Sequence, residues 1–153
     1  AFISKFNIEH RGTHWLLRDN LCYRGKYEVI VARRGFRTDL HSLPWLAGWL
    51  VPARHFQSAA AVLHSYCYVR RPLVIVNREA APKKNMQPLR PITRKEADGI
   101  LRKSLIETGT PVWQANSVYW LCRIFGSLYW KELGSWVTYD EDQIYSVVEQ
   151  IPD

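Results

Sequence analysis

Four polar side chains stand beside apolar or turn segments where folding alone does not call for them. They are Asp39 and His41 in GFRTDLHSLP, His64 in AVLHSYCY, and Asp98 in RKEADGIL. A carboxylate and an imidazole brought together from separate elements can hold a metal ion or form a general-base pair, because the carboxylate orients the ring and raises its basicity. Asp39, His64 and Asp98 are therefore the candidate catalytic set, with Thr38, His41, Ser42 and Arg94 in support. Each has a plainer explanation beside it. Asp39 follows Thr38 at the end of an expected strand and suits an Asx turn. Asp98 has Arg94 and Arg102 four residues to either side, so a solvated helix-surface ion pair accounts for it. His64 is harder to dismiss: a helix apolar around its whole girth gives an imidazole no route to water. The ring then needs an internal partner, and a hydrogen-bonded core histidine is the ordinary outcome.

The elements that must position these residues are read from periodicity. Residues 13–38 alternate as strands, with THWLLRD and KYEVIVARRGFRT separated by the turn residues Asp19, Asn20 and Gly25, and predict a small antiparallel sheet. LHSLPWLAGWLVPARH is broken by Pro44, Gly48 and Pro52 and reads as a loop or short helical turn. Its Trp45, Leu46, Trp49 and Leu50 have helical spacing, as a lid on the core or a surface for a partner. A long helix is expected from about Phe56 to Val69. LVIV at residues 73–76 suits a strand, and the proline-rich remainder through residue 92 a long exposed loop. Thr93 and Glu96 form a capping box, from which a helix runs to Gly109. Thr110 and Pro111 open a third helix through Trp113, Tyr119, Trp120, Leu121 and Phe125, apolar almost all round and so expected to be buried. The acids of DEDQIYSVVEQI favour a last short helix.

The expectation is an α+β fold: one domain over residues 1–153, its small antiparallel sheet on the N-terminal side packed against about three main helices. Hydrophobic residues at 47% and charged residues at 23% argue against disorder. The net charge of +7 is uneven. Residues 1–130 hold 20 Lys and Arg against 8 acids, and residues 131–153 hold one Lys against six. Such asymmetry suits an anionic partner, a nucleic acid or an acidic protein surface, as well as plain solubility. Cys22, Cys67 and Cys122 lie far apart without a C-x-x-C arrangement, so neither a disulfide framework nor a zinc ribbon is expected and a reducing compartment is. The first residues lack the apolar core of a signal peptide, and no apolar run is long enough to span a bilayer.

Four segments together resemble a known family. GFRTDLHSLP is similar to G-F-x-T-D-x-x-S-x-P, AVLHSYCY to A-x-L-H-D-Y-x-Y, RKEAD to R-x-x-A-D, and CRIFG to V-R-x-F-G, in the same order. That set characterises the bacteriophage and prophage family catalogued as domain of unknown function 1353, over about Gly35 to Gly126 here. The resemblance implies a phage origin and a compact α+β domain, and carries no established activity. Two positions depart from the pattern. Ser65 stands where the family has Asp after the motif histidine, and His41 where it often has Ala. A neutral hydroxyl does not replace a carboxylate as metal ligand or imidazole orienter. HSYCY is also similar to the H-D-x-C-Y helix of phospholipases A2, and the later Ala97-Asp98 to a second-helix pair in virus-borne relatives of that enzyme. Ser65 occupies the calcium-ligand position of that motif and no glycine-rich calcium loop precedes it, so lipase activity is not favoured.

On these grounds the favoured expectation is a non-catalytic phage accessory or structural component, associated with the tail or baseplate and acting through contacts with other phage proteins. Trp45, Trp49, Tyr139, Asp140 and Tyr145 are its expected partner-binding residues, with neither cofactor nor metal. Such a protein is made in the host cytoplasm and passes to the virion; its oligomeric state is left open. The alternative is a small metal-assisted hydrolase with a partly degenerate Asp/His site, acting at the cell envelope or on a phosphate-containing substrate. Nucleic-acid binding rests on charge alone.

Overall fold

The computed structural model describes residues 1–26, 28–38, 59–76, 87–133 and 151. In chain order these form β1 (Ile8–Arg11), β2 (His14–Leu17), β3 (Leu21–Arg24), β4 (Glu28–Ala32), β5 (Arg37–Thr38), α1 (Ala59–Arg70), β6 (Leu73–Val76), β7 (Gln87–Pro91), α2 (Arg94–Glu107) and α3 (Val112–Leu133). The fold is α+β, with two antiparallel sheets ordered β1-β2-β5 and β3-β4-β6-β7. Asp39, His41, Ser42, Trp45, Trp49, Tyr139, Asp140 and Tyr145 lie outside the described residues, as do the Trp45–Leu50 turn and all but Ile151 of the expected last helix.

The single sheet expected over residues 13–38 is instead divided. β2 pairs with β1, a strand the alternation did not reveal, and with β5, whereas the β3–β4 hairpin continues into β6. Gly12, at φ 64, turns β1 into β2, a conformation that strains any residue with a Cβ. Gly35, at φ 90, donates its N–H to the Leu17 carbonyl, and Leu17 donates to Phe36, so the chain leaving β4 is tied to the end of β2. That tie carries β5, and hence Thr38, to its place.

β7 corrects the expected exposed loop. Its two prolines cannot donate to a ladder, but β7 is the edge of its sheet, where only one side needs donors. The β6–β7 register also shifts between Val74 and Ile75, which absorbs the irregularity.

The core follows the faces of these elements. Leu21, Tyr23 and Ile30 join Val62, Leu63, Tyr66 and Cys67 of α1 and Ala97 and Ile100 of α2 in one cluster. On the other face of the sheet, Cys22, Val29, Val31 and Ile75 gather around Ile151. A third cluster, Ala60, Ala61, Leu101, Leu105, Ala115, Val118 and Cys122, seals the three helices together. α1 is buried at every position from Ala60 to Tyr68, which matches its apolar girth. It begins at Ala59 within the described residues and ends ahead of Pro72. There Arg71 takes φ 43, its guanidinium 4.4 Å from the Trp130 ring and donating to the Trp130 carbonyl at 2.7 Å. α2 opens with the expected capping box of Thr93 and Glu96 and closes at Gly109, φ 108.

α3 departs from expectation. Ala115, Val118 and Cys122 are buried, but Trp113, Trp120, Ile124 and Leu128 on the opposite side are more than half exposed. A helix apolar all round is buried only if neighbours cover its girth, and α1 and α2 cover one side.

Candidate functional site: a buried carboxylate and its donors

His64 and Tyr68 are four residues apart on α1 and therefore share the face turned to α2. Both reach Asp98, which lies on α2 and is fully buried. His64 Nε2 is 2.9 Å from Asp98 Oδ1, and the Tyr68 hydroxyl donates to the same oxygen at 2.6 Å. Arg123 of α3 donates to Oδ2 at 3.1 Å, and Arg94 lies 3.7 Å from it. Arg94 also donates to the carbonyls of Cys122 at 2.9 Å and Arg123 at 3.2 Å, which fastens the start of α2 to the middle of α3.

The solvated ion pair expected at Asp98 is thus replaced by an enclosed network. Arg102, the other expected partner, instead donates to Asn116. Burial works against ionising Asp98, and the His64 hydrogen bond and charge, the Tyr68 hydroxyl and Arg123 outweigh it, holding the carboxyl below its usual range. The same burial, with the hydrogen bond to Asp98, pushes the Tyr68 hydroxyl up and keeps it a donor. An ionised carboxylate only accepts, so His64 Nε2 carries the hydrogen. In the neutral ring, Nδ1 is then a bare acceptor. It is buried and has no hydrogen-bond partner among the described residues, an exposure to cost shared only by Arg71 Nε, whose guanidinium stacks on Trp130 instead.

The next residue along α1 makes a separate contact. Ser65 Oγ lies 3.0 Å from Thr38 Oγ1, both buried, and joins α1 to the end of β5. Gly126 completes the centre: a Cβ there would run into the Tyr68 hydroxyl and lie 3.2 Å from Arg94 Nη1. Three of the four sequence segments singled out above therefore meet at Asp98, and the first touches the second through Thr38 and Ser65. Thr38 comes from the first, His64, Ser65 and Tyr68 from the second, Arg94 and Asp98 from the third, and Arg123 and Gly126 from the fourth. Of the candidate set, His64, Asp98 and Arg94 are gathered here, Thr38 bonds the neighbouring Ser65, and Asp39, His41 and Ser42 lie outside the described residues. Tyr68 and Arg123 were missed, although the His64–Tyr68 spacing of four on a helix would have pointed to the former.

A metal does not fit the described donors. Ligand atoms of His64, Asp98 and Cys122 lie within 4.8 Å of one another. However, both Asp98 oxygens are already engaged, two guanidiniums face the carboxylate, and burial together with the Asp98 charge pushes the Cys122 thiol up and keeps it protonated. Calcium needs several free oxygen ligands, and beside His64 the described chain offers only the hydroxyls of Ser65 and Thr38.

The chain belongs to the family described as protein of unknown function DUF1353, whose model matches residues 15–122. The match begins earlier than the motifs do, inside β2, and takes in β3, β4 and β5. No curated protein and no solved structure matches the chain. Among the described residues, no helix is long and apolar enough to cross a membrane.

Proposed function

We propose that the protein is a hydrolase of ester bonds in which His64 is the general base. The observation that carries this reading is the state of the ring: Nε2 is held by Asp98 while Nδ1 is buried and has no hydrogen-bond partner among the described residues. Most buried side-chain polar atoms have a hydrogen-bond partner, so a bare ring nitrogen calls for a reason. His64 is buried, so the reaction requires water and ester to gain access to Nδ1; Nδ1 then takes a proton from the water as the water oxygen bonds to the ester centre. The imidazolium, steadied by the Asp98 carboxylate, returns the proton to the leaving alkoxide. Asp98 is a positioning residue, and Tyr68, Arg94 and Arg123 hold it ionised. Arg94 and Arg123 are engaged with Asp98 and backbone carbonyls, so the developing oxyanion must be met by another group.

The test is turnover of a chromogenic carboxylic ester and a chromogenic phosphate diester by the wild type, His64→Ala and Asp98→Asn, each checked for fold by circular dichroism. The expected result is turnover above buffer for the wild type on at least one substrate and none for His64→Ala. Loss of the orienting carboxylate in Asp98→Asn lowers the rate about 100-fold or more. Wild-type turnover no faster than His64→Ala overturns the hydrolase reading.

A second reading is favoured by Ser65, whose hydroxyl occupies the place of the family's carboxylate and is engaged with Thr38. On this reading the chain keeps the scaffold of a site without its chemistry and serves a phage particle as an accessory component. Its presence in purified particles by mass spectrometry, with no turnover, would support it.

A further inference from the structure

The four-stranded sheet is apolar on both faces. β4 and β6 read as near-continuous apolar runs, EVIVA and LVIV, where an antiparallel strand with one wet face would alternate. Helices α1 and α2 cover the first face. On the second, Cys22 pairs with Val31 and Val29 with Ile75 across the strands, and all four are buried. Ile3 and Ile151 are the described residues from outside the sheet that pack on them.

The two are held differently. Ile3 donates its backbone N–H to the Cys22 carbonyl at 3.0 Å, and Ser4 Oγ accepts from the Cys22 N–H at 2.7 Å, so residues 1–4 are laced to β3. Ile151 is 2% exposed, yet it belongs to no strand or helix, and among the described residues no backbone hydrogen bond ties it to the sheet. A contact made by side-chain packing outside any ladder is the kind that opens locally, without global unfolding.

Length and charge name the occupant as the chain's own. From Leu133, where α3 closes, the chain runs on through eighteen residues to Ile151. Extended, they span up to about 60 Å, against a radius of gyration of about 15 Å for a domain of this size. Ile151 therefore reaches its seat, and leaves it, without strain on α3. Residues 131–153 hold one Lys against six acids, and residues 1–130 hold 20 Lys and Arg against 8, so the segment carrying Ile151 is attracted to the body on which it docks. A second copy would bring the same acids together with its own basic body.

We propose that the second face of the sheet is a docking seat for the chain's own residues 131–153, with Ile151 as the plug, and that this strap opens and closes independently of the helical centre around Asp98. While Ile151 is seated, the face is closed to any other apolar group. When it leaves, Cys22 and its neighbours meet solvent.

The test is labelling of the full chain by an aromatic disulfide reagent at pH 8, the modified cysteine being identified by mass spectrometry of its peptides. The wild type is compared with Ile151→Asp, whose carboxylate is disfavoured in an apolar seat, with Ile151→Val, which keeps the plug, and with Gly126→Ala, which crowds Tyr68 in the helical centre instead. Circular dichroism checks each fold. The expected result is that Cys22 of Ile151→Asp reacts at least tenfold faster than Cys67 and Cys122 of the same chain and than Cys22 of the wild type. Ile151→Val should stay as protected as the wild type, and Gly126→Ala should not expose Cys22 ahead of the other two. Continued protection of Cys22 in Ile151→Asp overturns the proposal. So does loss of the fold, or exposure of all three thiols together, which would make Ile151 an ordinary core residue. A wild-type dimer whose dilution exposes Cys22 would give the seat to a second copy's Ile151 and overturn it as well.

Discussion

Gly126 lies against the hydroxyl of Tyr68, so closely that a methyl group at position 126 would overlap it. Inside a helix glycine is ordinarily a weakness, less stable than alanine by about 0.5–1 kcal/mol. Here it makes room for the bond from Tyr68 to Asp98. Gly126→Ala is therefore expected to destabilise the protein by about 1–3 kcal/mol, as overpacking does. Gly99 on α2 is its internal control: a Cβ there meets nothing within 4 Å, so Gly99→Ala should stabilise by about 0.5–1 kcal/mol. Urea unfolding of the two variants should move in opposite directions. If Gly126→Ala is as stable as the wild type, the close packing of α3 on Tyr68 is not what holds the centre.

Asp98 predicts an acid limb. Its folded carboxyl is held below the ordinary value of 3.8, burial opposing and His64, Tyr68 and Arg123 prevailing. A lowered folded value means that the unfolded chain binds more protons in acid. The stabilisation is therefore complete above the unfolded value and is lost as pH falls through the folded one. Asp98→Asn should be less stable than the wild type at pH 7, and the gap should narrow below about pH 4. Denaturant midpoints at pH 7, 5 and 3 measure this. A gap of constant size would assign the loss to packing rather than to charge.

How far the sequence disclosed this centre depends on what each signal encodes. The capping box and Gly109 bounded α2 because caps are local chemistry. His64 announced a partner because its helix was apolar on all sides. Local pattern misled at Asp98, where Arg94 four residues away suggested a solvated pair. Burial is decided by α1 and α3, which arrive from other parts of the chain. It misled again at β7, since proline statistics describe central strands and β7 is an edge. α3 shows the same limit in reverse: a helix apolar all round in sequence does not say which side its own domain will cover.

The three cysteines give a prediction about reactivity. All are buried, and burial, with the Asp98 charge, pushes the thiols of Cys67 and Cys122 up. A thiol that stays protonated is a poor nucleophile. An aromatic disulfide reagent at pH 8 should label none of them in the folded protein and all three in denaturant. Fast labelling of Cys122 in the native state would reopen it as a metal ligand or nucleophile.

The contact between Ser65 and Thr38 leads to the last prediction. At 3.0 Å the two hydroxyls satisfy each other in a buried position next to His64. The motif that AVLHSYCY resembles has an aspartate at the position of Ser65, and a carboxylate there would accept from Thr38 while Arg94 and Arg123 stay engaged at Asp98. Ser65→Asp should therefore fold less stably than the wild type, because a buried charge without a partner is unfavourable. Added calcium should reverse the loss in the variant by supplying that charge. With the ion well above its dissociation constant, linkage gives a rise in melting temperature of roughly 5 °C. Ser65→Asn, of the same shape but uncharged, should show no such response, nor should the wild type. Thermal melts with calcium and with chelator read all three chains. A response in the wild type would mean that other oxygens complete a site without residue 65; no response in Ser65→Asp would mean that this position does not face a cation-binding space, and the metal-assisted form of the hydrolase would fall with it.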